Sequence, residues 1–156
     1  MRALTIQQPY AWAVCRGGKT VENRANRKGQ ARAKAQFNHP GSLLIHTSQR
    51  DAGQDAYRLV KHLSTVDPGV PGLPKSDTAW EYGAFIAVVH LAGVHTADEC
   101  YDPVTGRHCS PWGEPNAAHL QLADVRILHR PVPHRGQLGL WAVDDPIVLA
   151  EIRRQL

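Results

Sequence analysis

The 156-residue sequence lacks any apolar stretch long enough to span a membrane. Its longest uninterrupted apolar run covers residues 84–89, whereas a transmembrane helix needs about 20 residues. The start of the chain carries Arg2, Gln7 and Gln8 and has no apolar core of the kind found in signal peptides. Cysteine is scarce as well, because the three residues present are too few for a disulfide scaffold. We therefore expect a cytoplasmic protein with reduced thiols and set the membrane and secreted classes aside.

An apolar content of 42% with 21% charged residues excludes a disordered or fibrous chain, and the length suits a single domain over residues 1–156. The net charge is only +4, but it is unevenly distributed. Residues 1–60 carry ten bases and three acids, whereas residues 61–156 carry eight bases and eleven acids. A basic N-terminal half favours a polyanionic partner such as nucleic acid. The alternative is a solvated surface of uneven charge.

Hydrophobic periodicity and turn signals predict an α+β fold of five or six strands with two or three flanking helices. A small, partly closed β-barrel would leave such a set with few exposed edges. We predict strands over residues 3–6, 20–24, 42–47, 83–96, 119–129 and 136–143. Helices are predicted from Pro9 to the Gly17–Gly18 stop, from an N-cap at Ser48, and from the Asp145–Pro146 pair. Residues 26–40, 64–78 and 97–116 are predicted to be loops, the first of them exposed and basic.

One motif near the N-terminus carries functional information. The helix begins with Gln7-Gln8-Pro9-Tyr10-Ala11-Trp12, and the residues from Gly17 to Arg24 fit G-x-K-x-x-E-x-R, with Lys19 and Glu22 at the charged positions. Together these segments resemble the ASCH domain, a family of the PUA-like superfold. Further similar blocks follow in order along the chain, at residues 42–48, 80–83, 110–112, 119–122 and 131–141.

The resemblance implies a PUA-like β-barrel with a cleft beside the first helix and a role in RNA or nucleic-acid biology. Some members resemble ribonucleases, and one small amidohydrolase deacylates N4-acylated cytidine with a Lys, a Thr and a distant Glu. Lys19 matches that lysine, whereas Glu22 stands at the position of the threonine. No residue of this chain is assigned to the distant Glu.

Two functions therefore share the same residues. As a binding module for RNA or DNA, single-stranded RNA foremost, the cleft would receive a nucleotide beside an exposed Lys19, with basic residues on the phosphates. As an enzyme, either a ribonuclease or an amidohydrolase acting on a modified base or nucleoside, Lys19 would stabilise negative charge and Glu22 would transfer protons. A purely structural alternative is an ion pair of Glu22 with Arg24. The candidate nucleic-acid-binding residues are Tyr10, Lys19, Arg24, Arg27, Lys28, Arg32, His46, Ser48, Arg50 and Trp112.

Aromatic and histidine candidates have structural alternatives as well. Tyr10 and Trp12 are two residues apart on a helix, so one is expected in the core and the other in the cleft, where a ring can stack on a base for about 1–3 kcal/mol. Trp112 lies among Pro and Gly residues and is predicted to be exposed, whereas Trp141 is predicted to be buried. His46 ends an apolar strand, and we interpret it first as a structural histidine.

His95, Cys100, His108 and Cys109 form the one cluster of Cys and His residues along the sequence. Their spacing fits no common zinc finger, and adjacent ligands at 108 and 109 suit tetrahedral coordination poorly. The sequence leaves metal binding by these residues open. We predict no cofactor, except that a ribonuclease could use a divalent metal.

Overall fold

The computed structural model describes residues 1–66, Leu73 and 80–156, which form six strands and five helices joined by loops. Most of the loop predicted over residues 64–78 lies outside this part of the chain. No helix within the described residues has the length and apolarity to cross a bilayer. The elements, in chain order, are β1 (Arg2–Gln8), α1 (Tyr10–Arg16), β2 (Val21–Arg24), α2 (Gln30–Phe37), β3 (Gly41–Asp51), α3 (Gln54–Val66), β4 (Ala84–Thr96), α4 (Ala97–Cys100), β5 (Ala118–Pro133), β6 (Leu140–Ala142) and α5 (Pro146–Arg154).

The six strands form one mixed sheet in the order β2-β5-β4-β3-β1-β6. β1 runs parallel to β3, and the other neighbouring pairs are antiparallel. The α+β class is therefore confirmed. Within the described residues the sheet is open, because its edge strands β2 and β6 do not pair with each other.

The two faces of the sheet bury separate sets of side chains, as the period of two along a strand requires. On one face, Leu4 and Ile45 belong to a cluster that α1 and α2 cover. On the other face, Phe85 and Trp141 pack beneath Ile152 of α5. Both faces are thus covered, and α1 and α2 lie on the same side of the sheet.

The basic segment over residues 26–40 is not the loop that its composition predicts. Residues Gln30–Phe37 form α2, whose Ala33 and Phe37 are buried against the sheet one helical turn apart. Alanine favours the helix strongly, so two apolar contacts are enough to hold a helix whose other face is charged.

The predicted N-cap at Ser48 is also wrong, since Ser48 lies within β3. This strand continues to Asp51, which pairs with Gln8 of β1, and α3 begins at Gln54. The C-terminal helix is confirmed: Asp145 Oδ1 accepts hydrogen bonds from the backbone N–H groups of the next residues in α5, and Pro146 opens that helix.

Candidate functional site

A cavity of about 450 Å³ opens beside α1, where the motif residues of the sequence converge. Its walls come from β1, the start of α1, β2, β3 and three loops. A volume of this size lies within the range of small-ligand sites. The lining residues are Thr5, Ile6, Gln7, Tyr10, Lys19, Glu22, Asn23, Arg24, Ser48, Glu114, Gln137, Leu138 and Gly139.

A network of three charged side chains forms one wall of the cavity. Lys19 Nζ donates hydrogen bonds to the Val21 carbonyl and to Glu22 Oε2, the latter at 2.8 Å. Arg24 Nη2 lies 2.9 Å from Glu22 Oε1 and donates to the Thr5 carbonyl at 2.8 Å. Each carboxylate oxygen of Glu22 therefore faces a different cation. The predicted Glu22–Arg24 pair is present, and Lys19 is part of the same network.

Lys19 is buried, with 3% of its surface exposed, and this corrects the prediction of an exposed lysine. The chain turns sharply after α1, with the N–H groups of Gly17 and Lys19 both donating to the Ala13 carbonyl. Gly17 permits this turn, because a Cβ there would lie 2.7 Å from Ala13 Cα. The turn directs the lysine inward, where Glu22 compensates its charge.

The charge state of Glu22 follows from two opposing effects. Burial by itself raises the pKa of this carboxyl, but the charges and hydrogen bonds of Lys19 and Arg24 outweigh it and hold the pKa below the usual value. Glu22 is therefore an ionised carboxylate at neutral pH. Its negative charge is compensated within the protein.

Of the aromatic candidates, Tyr10 alone lines the cavity. Its ring is half-buried and lies 5.6 Å from Lys19 Nζ, and burial together with the Glu114 and Glu22 carboxylates raises the pKa of its phenol. Trp12 is buried in the core, with its ring centroid 6.3 Å from that of Trp80. The prediction that one of the two helix aromatics faces the cleft thus holds.

Trp112 is buried, with 7% of its surface exposed, and the prediction of an exposed ring is wrong. It packs in an apolar cluster with Trp12 and Val21. The surrounding loop is drawn onto β2 because Asn23 Nδ2 donates to the Trp112 carbonyl at 2.8 Å and Asn23 Oδ1 accepts from Glu114 N at 3.0 Å. Trp112 therefore supports the cavity from behind and does not line it.

The basic residues of the segment 26–40 divide into two groups. Arg27, Lys28 and Arg32 are exposed, and we call this the α2 basic surface. Lys34 instead binds Glu99, with Nζ 2.6 Å from Oε1. The α2 basic surface lies close to the cavity. Gly139 lines the cavity, and a Cβ built on Gly139 would lie 3.5 Å from the side chain of Gln36 in α2.

The three candidates on β3 have different positions. Ser48 lines the cavity, and its Oγ accepts a hydrogen bond from Arg50 N at 3.0 Å. Arg50 is exposed and is not part of the lining. His46 is buried outside the cavity, where Nε2 donates to the His134 carbonyl at 2.9 Å. This arrangement agrees with the interpretation of His46 as a structural histidine.

Several lining residues have no local sequence signal. Asn23 occupies a variable position of the motif, and Glu114 lies about 90 residues further along the chain. The segment 137–139 closes the cavity from the far end of the sequence. Only the fold brings these segments together.

A group of potential metal ligands lies outside the cavity lining. Ligand atoms of His95, Cys100, Cys109 and His119 all lie within 4.8 Å of one another. Three of these residues belong to the cluster noted in the sequence. The fourth is His119 and not His108, because β5 pairs with β4 and sets His119 opposite His95.

No protein-family model matches the chain, and a search of the curated proteins finds no match. The function is therefore inferred from the geometry and the charges of the cavity.

Proposed function

We propose that this protein binds nucleic acid, preferentially single-stranded RNA, and holds one base or nucleotide in the cavity beside α1. One observation carries the proposal. A cavity of about 450 Å³, lined by an aromatic ring and a buried lysine, lies close to the exposed α2 basic surface. Single-stranded nucleic acid is bound by this combination of stacking platforms and positive charge.

The cavity offers the contacts that an extruded base needs. Tyr10 presents a ring for stacking, and Gln7 and Gln137 present amide donors and acceptors for the base edge. The Val21 carbonyl and Glu22 occupy two of the three N–H groups of Lys19, so the third can meet a ligand oxygen. These groups favour a neutral, planar, polar ligand in the pocket.

Phosphates would lie outside the cavity, on the α2 basic surface. The lining carries no net charge, because its two cations, Lys19 and Arg24, are matched by two carboxylates, Glu22 and Glu114. The α2 basic surface carries three exposed cations, of which Lys28 and Arg32 share a surface depression with Gln36, the residue that lies beside Gly139. This division matches a nucleotide, whose base is neutral and whose phosphate is anionic.

We also propose that the chain is an ASCH domain of the PUA-like superfold. Six residues of the two motif segments line one cavity beside the first helix: Gln7, Tyr10, Lys19, Glu22, Asn23 and Arg24. The long strands β4 and β5 pair through three register shifts, which curve a sheet as a barrel requires.

A second candidate function is hydrolysis of an acylated base or nucleoside, or of RNA, in the same cavity. The contact of 2.8 Å between Lys19 Nζ and the ionised Glu22 favours it. In such a reaction Glu22 would accept a proton from water as it attacks the scissile carbonyl or phosphate, and would pass this proton to the leaving nitrogen or oxygen as its bond to carbon or phosphorus breaks. Lys19 would donate a hydrogen bond to the oxygen on which negative charge develops.

One titration distinguishes RNA binding from RNA hydrolysis. Labelled single-stranded RNA is incubated with the protein, with and without Mg²⁺, and anisotropy and strand length are read on the same samples. Tyr10→Ala is expected to weaken binding roughly 10- to 100-fold, whereas Tyr10→Phe retains the ring and the affinity. RNA cut by the wild type but not by Glu22→Gln would favour the hydrolase. Equal binding by Tyr10→Ala and the wild type would exclude the cavity as the base site.

The α2 basic surface is tested by salt dependence. Replacing Arg27, Lys28 and Arg32 with Ala should reduce the log–log salt slope by about 0.7 for each phosphate that the protein no longer binds, or about 2 in total. A matched control replaces three exposed arginines of β5 and α5, Arg126, Arg130 and Arg153, and should leave the slope unchanged. Equal effects of the two triple variants would indicate non-specific attraction.

A further inference from the structure

Two histidines and two cysteines meet at the end of the β4–β5 pair. His95 of β4 lies directly opposite His119 of β5, with ring centroids 5.3 Å apart. Cys100 ends α4, and Cys109 follows in the connection to β5. We call these four residues the Cys2His2 cluster. The segments between successive members contain four, eight and nine residues, so the connection between two paired strands supplies both thiols.

The separations within the cluster match those around a tetrahedral metal ion. His95 Nε2 lies 3.2 Å from Cys109 Sγ, and His119 Nδ1 lies 3.3 Å from Cys100 Sγ and 3.6 Å from Cys109 Sγ. With usual zinc–sulfur and zinc–nitrogen bond lengths, the sulfur–nitrogen edge of a tetrahedron is about 3.6 Å. The four atoms are thus already spaced for coordination.

His119 is held in the tautomer and orientation of a metal ligand. It is fully buried, and its Nε2 donates to the Glu114 carbonyl at 2.8 Å. A carbonyl can only accept, so Nε2 carries the hydrogen, and the lone pair of Nδ1 faces Cys100 and Cys109. Histidines that bind metals in proteins commonly donate their other N–H to such a partner.

His108 does not fit as a ligand. Its Nδ1 donates to the Ala97 carbonyl at 3.2 Å and is 3.9 Å from Cys100 Sγ. Its ring packs edge-on against His119, with centroids 5.4 Å apart. His108 therefore forms a wall beside the cluster, and His119 takes the fourth position.

The backbone around both cysteines is fixed by its own hydrogen bonds. Thr96 and Glu99 form a reciprocal capping box at the start of α4, which positions Cys100 one residue later. Asp102 closes the turn that follows, with backbone hydrogen bonds to Arg107 and Gly106, so that the chain returns to the cluster at Cys109. Both thiols are thus placed before any ligand binds.

We propose that the Cys2His2 cluster, which lies outside the lining of the cavity beside α1, is a structural binding site for Zn²⁺. A tetrahedral set of two sulfur and two nitrogen ligands is typical of zinc, and four protein ligands leave no open position for substrate. Cys109 is exposed and provides an entry path from solvent, whereas His119 closes the inner side. The metal would fasten the connection that contains Glu114 and Trp112 to the β4–β5 pair.

The test uses the full chain in reduced form, stripped of metal with a chelator and titrated with Zn²⁺ and, separately, Co²⁺. We expect one equivalent of Zn²⁺ per chain and a higher melting temperature on binding. Bound Co²⁺ should give the intense d–d absorption of a tetrahedral site together with thiolate-to-cobalt charge transfer. A wild type that binds neither ion under these conditions would overturn the proposal.

Variants identify the ligands. Cys109→Ser and His95→Gln change residues that are not fully buried, so both variants should fold. Removing the hydrogen-bond partner of a metal ligand lowers metal affinity about 10- to 100-fold, and removing a ligand itself should lower it further. His108→Gln and Cys15→Ser are matched controls and should bind like the wild type. The proposed ligand set would be wrong if His108→Gln abolished binding while His95→Gln did not. Equal binding by Cys109→Ser and the wild type would also contradict it.

Discussion

The carboxylate of Glu22 lies 2.8 Å from the ammonium of Lys19, and both side chains are almost excluded from solvent. In a buried pair each charge stabilises the other, because removal of one partner leaves the remaining charge less compensated in the interior. The residue that the motif singles out for ligand binding is therefore also a structural residue. Effects of its mutation on binding must be separated from effects on folding.

Lys19→Met is expected to destabilise the protein by about 3 kcal/mol, since Glu22 would keep only Arg24 as a partner. The double variant Lys19→Met/Glu22→Gln should be less destabilised than the sum of the two single variants, because the Lys19–Glu22 contact is lost only once. Urea unfolding at pH 7 measures both values. Lys28→Ala, at an exposed position, is the control and should stay within about 0.5 kcal/mol of the wild type. Equal stability of Lys19→Met and Lys28→Ala would contradict a buried pair.

The lowered pKa of Glu22 predicts a specific acid sensitivity. A carboxyl with a depressed folded-state pKa stabilises the protein above its unfolded pKa, near 4.5, and this contribution is lost as the pH falls through the folded value. The wild type should therefore be more stable than Glu22→Gln at pH 7, and the difference should shrink below about pH 4.5. Melting temperatures of both proteins between pH 3 and 7 measure this, and a constant difference would count against it.

His46 predicts a second pH dependence at a higher pH. Burial lowers its pKa, the hydrogen bond to the His134 carbonyl offsets part of this, and the nearby His134 ring lowers it further. The neutral form is therefore favoured in the folded state, and its contribution, present above pH 6.5, is lost as the pH falls. His46→Gln should show a smaller fall in melting temperature between pH 7 and 5 than the wild type. His95, whose pKa is also lowered, remains in both proteins, so the difference isolates His46.

Trp112 provides a test of the loop behind the cavity. Because its ring is buried against Trp12 and Val21, Trp112→Ala should cost about 3–5 kcal/mol, whereas an exposed ring would cost little. Trp112→Phe keeps part of the packing and should be intermediate. Unfolding free energies of the three proteins decide the question. A loss of RNA affinity in Trp112→Ala with unchanged stability would instead point to an exposed stacking ring.

The parts of the fold that depend on local patterns could be predicted. β1 follows from alternation, β4 from its density of Ile, Val and Leu, and α5 from the Asp145–Pro146 cap, and the structure confirms all three. α2 is predicted as a loop because its segment has few large apolar residues. Its alanines favour a helix, but the packing of Ala33 and Phe37 on the sheet, which holds it, involves strands distant in the sequence. The extension of β3 past Ser48 has no local signal either, because pairing with β1, and not the residues themselves, keeps it extended.

The site could be predicted only in part, for a similar reason. The motif identifies Lys19, Glu22 and Arg24, which lie within six residues of one another and share a wall of the cavity. The motif does not indicate whether the Lys19 side chain is buried, because Glu22 lies beside Lys19 only after the chain has turned at Gly17. His119 could not be assigned to the Cys2His2 cluster without the pairing of β4 and β5 that sets it opposite His95.

The position of β1 has a consequence for the order in which the molecule forms. β1 lies between β3 and β6, with Arg2 opposite Leu43 on one side and opposite Ala142 on the other. β1 therefore pairs with β6 only after about 140 further residues have been synthesised. Long-range pairing of this kind slows folding, and until it forms, one edge of β1 stays open to other chains. During synthesis this edge is the part of the sheet that a chaperone would need to cover.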